Sequence, residues 1–155
     1  MENKKILYQI TEEFLKNYSI ENPPLISLYR DYHIQENYDS FRSSDKFFIF
    51  IDNIKELLEE KVSVLQLNDF PYYTTDNIKH YILWINNKKY SNKLDKIFIK
   101  NEINKYFDTN IDATNTQNAQ NIKKRENIIT YWVNTSHNSS IKDILHTHIF
   151  TKKLE

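Results

Sequence analysis

Cysteine is absent from the 155 residues, which excludes both a disulfide framework and a thiolate zinc site. Glycine is absent as well, against an average usage of about 7%. Without glycine the chain can build neither a P-loop nor a dinucleotide-binding turn, because both need backbone that approaches phosphate closely. Charge of one sign is also missing: 21 basic residues balance 21 acidic ones, so no net field draws the chain to nucleic acid or membrane. No apolar run approaches the roughly 18 residues of a membrane span, and no signal peptide is expected before the first polar helix. A cytoplasmic protein without membrane contact is the resulting expectation.

What is abundant is Asn, Lys, Ile and Tyr, the bias of an AT-rich coding sequence. Asn then takes left-handed turn positions that glycine would otherwise fill. A length of 155 residues suits a single domain spanning 1–155. Ile6, Leu7, Ile10, Phe14, Leu15 and Tyr18 recur at helical spacing over residues 2–18. After Pro23 and Pro24, Leu25, Leu28, Tyr29 and Tyr32 predict a second helix reaching about Tyr38. Ser44 or Asp45 caps a third, from Phe47 to Leu58. Residues 1–65 therefore read as mainly helical.

Residues 66–155 change character. His80–Ile85 is short and rich in β-formers, and so are Ile128–Val133 and Ile144–Phe150. Leu94, Ile97, Phe98, Ile103, Tyr106 and Phe107 mark another helix, and residues 108–126 a polar loop. The predicted class is α+β, with N-terminal helices packed on a small antiparallel sheet.

His146 and His148 stand two apart in the last of these strands, so their imidazoles should share a face. Imidazole titrates near neutrality, ligates metals and serves as acid, base or nucleophile. Set against a function is the ordinary reading of a structural or surface pair. A third reading is a divalent metal held by His146, His148 and His80, with Asp143 or Asp69 nearby. His80 reads more simply as a sheet histidine. Trp84 and Trp132 read as core, and Lys123-Lys124-Arg125 as a solvated turn that could instead clamp a phosphate.

Phe70-Pro71-Tyr72, Ile78–Trp84, Tyr131–Asn134, Ser140-Ile141 and His146–Ile149 occur in an order that resembles the N-acetylglucosamine-induced proteins of fungi and their relatives in other eukaryotes and large DNA viruses. The resemblance spans roughly residues 22–150. A more distant similarity is to the histidine-triad superfamily of nucleotide hydrolases and transferases. Asn68, Pro71, Tyr72 and His80 are similar to its first half, and Asn134, Ser140, His146 and His148 to its second. That similarity implies a histidine-triad-like fold with His148 as nucleophile on an α-phosphorus and His146 beside it. Asn68, Tyr72, His80, Asn134 and Ser140 would then bind substrate. Phe150 stands where the third histidine would be, and no glycine accompanies His80 or Ser140.

Three functions follow as expectations. The first is a phosphate-ester hydrolase or nucleotidyl transferase acting on a nucleotide or sugar nucleotide, with no cofactor. The second is a non-catalytic module binding a nucleotide, sugar or capped RNA. The third is a metal enzyme of amino-sugar metabolism. Phe47, Phe48 and Phe50 suit either a homodimer contact or a monomer's core.

Overall fold

The computed structural model describes residues 7–86, 95–107, 126–135, 141 and 144–153. Four helices and four strands follow in the order α1 (Glu12–Leu15), α2 (Tyr32–Arg42), α3 (Asp45–Glu60), β1 (Ser63–Leu67), β2 (Ile78–Ile85), α4 (Lys96–Tyr106), β3 (Glu126–Trp132) and β4 (His146–Lys153). The strands form one antiparallel sheet in the order β1-β2-β4-β3, which confirms the α+β class. Among the described residues, no helix is long and apolar enough to cross a membrane.

Both faces of the sheet are covered. On one, Tyr81, Leu83, Ile85 and Ile149 pack against Ile99, Ile103 and Phe107 at α4. On the other, Trp84 meets Ile51, Ile54 and Leu58 of α3, while Trp132 and Phe150 meet Leu15 and Tyr72. The β2–β4 register sets His80 opposite Phe150, Ile82 opposite His148 and Trp84 opposite His146. Because side chains alternate, these six share the second face.

A bulge completes that face. Ile128 pairs with Thr151 but Thr130 with Phe150, so Ile129 is an extra residue in β3. The insertion changes the strand's parity, and Trp132, opposite His148, comes to the histidine face. Without it Tyr131 would point there instead.

Several element boundaries depart from the sequence expectation, and β3 and β4 run Glu126–Trp132 and His146–Lys153 where Ile128–Val133 and Ile144–Phe150 were expected. The helical stripe of residues 2–18 becomes one turn, because Thr11 is extended and its hydroxyl caps the Phe14 N–H (3.2 Å). Ile10 bridges to Thr74 in extended pairing, and Ile6 lies outside the described residues. The second helix begins at Tyr32, where Asp31 caps the His33 N–H (3.1 Å). Residues 25–30 run beside the 70–73 segment, with the Tyr73 N–H donating to Tyr29 O (2.8 Å). Finally, residues 1–65 are not all helical: β1 begins at Ser63, after α3 ends in an extended Lys61. With no glycine or proline between Glu60 and Ser63, nothing in the local sequence marks that change. Of the polar loop expected over residues 108–126, Glu126 belongs to β3 and the rest lies outside the described residues.

Candidate functional site

The sheet brings His80, His146 and His148 together, all buried. The His146 and His148 rings lie 5.4 Å apart, as their i, i+2 spacing requires. His80 Nε2 sits 2.8 Å from His148 Nδ1, so the two rings share a proton. Phe150, at the position of a third histidine, is a stacking surface instead, 4.4 Å from the His80 ring. Tyr72 stacks on the His148 ring (5.5 Å, 17°).

Donor and acceptor counting, taken from the Tyr72 end, gives one arrangement of the tautomers. The backbone N–H of Tyr72 donates to His80 Nδ1 (3.2 Å). The Asn68 amide approaches the same nitrogen (3.4 Å), with its oxygen already accepting from the Phe70 N–H (2.8 Å). His80 Nδ1 therefore holds a lone pair, and the neutral ring carries its proton on Nε2. That proton points at His148 Nδ1, which leaves the proton of neutral His148 on Nε2.

At the other end stands Asn134. Trp132 Nε1 can only donate, and it donates to Asn134 Oδ1 (2.9 Å). The Asn134 amide nitrogen then faces the Tyr72 hydroxyl (3.1 Å) and His148 Nε2 (3.0 Å). Two N–H groups meet at that last contact. The conflict cannot be moved away. A run of neutral His80, His148 and Asn134, each with one donor and one acceptor, is closed at both ends by groups that only donate. One junction must always be donor against donor, worth roughly 1–3 kcal/mol when buried.

A cavity of about 420 Å³ opens at this junction, within the range of about 300–1,000 Å³ usual for small-molecule pockets. Tyr72, Asn134, His148 and Arg30 line it. Arg30 reaches the site because residues 25–30 are not helical and Tyr29 is tied to the 70–73 segment. Its Nε donates to Phe70 O (2.8 Å), and its guanidinium lies 4.0 Å from the Tyr38 ring centre. No carboxylate among the described residues forms a salt bridge with it.

Burial above all holds His80 and His148 well below the usual histidine pKa. The Arg30 charge adds to both shifts, as do the neighbouring imidazoles. Burial also lowers His146, opposed by its hydrogen bond to Ile144 O. Burial raises the Tyr72 hydroxyl, opposed by its hydrogen bond from Asn134 and by Arg30. At neutral pH the three rings are uncharged and Tyr72 keeps its proton.

Of the residues singled out in the sequence, Asn68, Tyr72, His80, Asn134, His146 and His148 converge here. Ser140, Asp143 and Lys123-Lys124-Arg125 lie outside the described residues. The three imidazoles do not converge on a metal position, since His80 and His148 aim nitrogens at each other. No group of three metal-ligating side chains occurs among the described residues. Arg30 was not foreseen. The available signal was its rarity, one of three arginines among 21 basic residues.

An α+β domain with a buried imidazole pair beneath a donor-lined cavity is the class that fold and site define. Residues 17–152 match the family model described as "Protein of unknown function (DUF3605)", and the chain belongs to that family. No curated protein matches it. A solved structure described as "Crystal Structure of HTC1" is similar at 16% identity, over 81% of this chain and 76% of that one, with a TM-score of 0.49.

Proposed function

We propose that this protein is a binding module for a phosphate ester, held as an anion over His148. The observation that carries this reading is the donor excess at the cavity. His148 Nε2–H, the Asn134 amide, the Tyr72 hydroxyl and Arg30 all offer hydrogens there, and among the described residues no carboxylate lines this cavity. An anionic oxygen between His148 and Asn134 would accept from both and remove the donor-against-donor contact. Charge-assisted bonds from Arg30 suit the planar oxygens of a phosphate.

The tautomers do not by themselves exclude His148 as a nucleophile. Attack needs a lone pair on Nε2, and moving that proton to Nδ1, with one onto His80 Nδ1, shifts the single donor contact from Asn134 to the Tyr72 N–H. Phe150 in place of a third histidine, stacked on His80, favours the binding module over the hydrolase or nucleotidyl transferase expected from the histidine-triad similarity. The convergence of Asn68, Tyr72, His80, Asn134, His146 and His148 on one site supports a histidine-triad-like architecture as the frame for binding.

The test is calorimetric titration of pyrophosphate and ribose 5-phosphate into the wild type and Arg30→Met, with the ester analysed afterwards. Binding by wild type, at least tenfold weaker in Arg30→Met and with the ester recovered intact, is the expected result. Unchanged affinity in the variant would remove the anion site. Cleavage by wild type but not by His148→Ala would restore the nucleophile.

A further inference from the structure

A second cavity of about 220 Å³ adjoins the first, with Arg30 and His148 lining both. It is smaller than the range of about 300–1,000 Å³ usual for small-molecule pockets, so it suits a compact group. Phe41, Phe50, Phe70 and Trp84 belong to its walls. Phe50 meets Phe41 at 77° and Trp84 at 69°, with ring centroids 5.7 Å apart in each pair. Walls that turn through such angles enclose a box, whereas a flat ring would need parallel ones. Aromatic faces carry negative potential, so a box of them suits a cation. A neighbouring ring, Tyr38, already holds one, with the Arg30 guanidinium 4.0 Å from its centre.

The polar groups of the box differ in what they have left to offer. Asn68 is engaged, its oxygen by the Phe70 N–H and its nitrogen toward His80. His148 turns its two nitrogens to His80 and Asn134. Gln66 Oε1 accepts from Trp84 Nε1 (3.0 Å). His146 Nδ1 lies 2.8 Å from Ile144 O, so its proton sits there and Nε2 keeps a lone pair. Asp69 is exposed and brings a full negative charge to the box. Arg30 and Asp69 are thus opposite charges on adjoining cavities, and among the described residues neither forms a salt bridge.

We infer that the ligand is the phosphate ester of an amino alcohol, with its phosphate in the donor cavity against Arg30 and its ammonium group in the aromatic box beside Asp69. This rests on the anion site above and names the class of ester it takes. The ligand's two charges then run opposite to the protein's two. With the phosphate against Arg30, the ammonium does not face that positive charge alone. A quaternary nitrogen fits better than a primary one. Three N–H groups would need three acceptors, and the described walls offer Asp69 and His146 Nε2, whereas methyl groups pack on aromatic rings. Choline phosphate is the simplest such ester, free or as the head group of a lipid.

Calorimetric affinities of choline phosphate, glycerophosphocholine, ribose 5-phosphate and 3,3-dimethylbutyl phosphate for wild type and Asp69→Asn test this. The last compound puts carbon in place of the choline nitrogen, which keeps the shape and removes the charge. The expected result is choline phosphate at least tenfold tighter than its carbon analogue. In Asp69→Asn that advantage should shrink at least threefold, with the carbon analogue bound no more weakly than by wild type. Either order of choline phosphate and glycerophosphocholine supports the box; a tighter diester points to a lipid source, a tighter monoester to the free compound. Equal wild-type affinity for choline phosphate and its carbon analogue overturns the cation box and leaves the anion site standing. An advantage undiminished in Asp69→Asn overturns the pairing of charges and with it the proposal. No binding of any phosphate, ribose 5-phosphate included, overturns both sites.

Discussion

The two faces of the sheet are built from alternate residues of the same strands, yet they treat polar groups differently. On the α4 face the buried carboxylates meet their donors, and the hydroxyls left without a partner, Thr147 and Thr151, stand away from the histidine cavity. The Tyr81 hydroxyl donates to the Glu126 carboxylate (2.7 Å), which also pairs with Lys79 (2.8 Å). Ser63 Oγ donates to Glu102 (2.8 Å), which pairs with Lys105 (2.8 Å). On the histidine face, among the described residues, no carboxylate is hydrogen-bonded to the histidine run, although Asp69 lines the adjoining cavity, and two donor-only N–H groups close a run of bifunctional side chains. Burying a polar group without a partner is costly, so a face that does so at a cavity is incomplete until something enters. The comparison separates a face that folds the chain from a face that waits for a ligand.

Breaking the α4 face should cost the most stability and the least function. Ile103→Ala removes a fully buried side chain from the contact with Tyr81 and Ile149. A loss of about 2–5 kcal/mol in chemical denaturation is expected, with phosphate affinity per folded molecule unchanged.

Acid should discriminate the faces next. His80 and His148 have depressed folded pKa values, so the unfolded chain binds protons that the folded one refuses. Stability is then full above the unfolded pKa of about 6.5 and falls as pH drops toward the folded values. At pH 5.5, below the unfolded value, the pair should therefore make the protein measurably less stable than at pH 7.5. Urea midpoints at pH 7.5 and 5.5 measure it. In a His80→Phe/His148→Phe double variant that histidine-linked loss should disappear.

The smallest expected effect sharpens the α4 side. Thr147 and Thr151 point there with buried hydroxyls that lack a hydrogen-bond partner. Thr147→Val keeps the shape and removes the stranded group, so a gain of about 1 kcal/mol in denaturant unfolding is expected. Ligand affinity should not move.

Parts of this were legible in the residues themselves. The His146 and His148 spacing put both rings on one face because a strand's period is two, whatever surrounds it. Ser44 does sit at the N-cap position of α3, although its hydroxyl donates to Phe41 O and caps no helix N–H, and the strand at His80 follows from its run of β-formers. What was hidden depends on partners distant in the chain. The tautomers of His80 and His148 are set by the Tyr72 N–H and, through Asn134, by the Trp132 indole, which only the folded sheet brings into one line. Phe150 occupies a position where an imidazole was the alternative, and its stacking on His80 needs the β2–β4 register to be seen. The Ile129 bulge carries no glycine to announce it, yet it decides which residues of β3 face the site. Arg30 was masked by the helical spacing of Leu25, Leu28 and Tyr32, whose segment is not helical before Tyr32.

The central claim is that the histidine face has one donor too many and that an anion resolves it. Asn134→Asp tests it most directly, because a carboxylate can accept from the Trp132 indole, the Tyr72 hydroxyl and His148 Nε2 at once. Thermal unfolding and pyrophosphate titration of this variant, at pH 7.5 beside the wild type, give the two readings together. The account predicts a stabilised protein, by roughly 1–2 kcal/mol, that binds pyrophosphate at least tenfold more weakly. A destabilised Asn134→Asp, or one that binds pyrophosphate as well as the wild type, would contradict it.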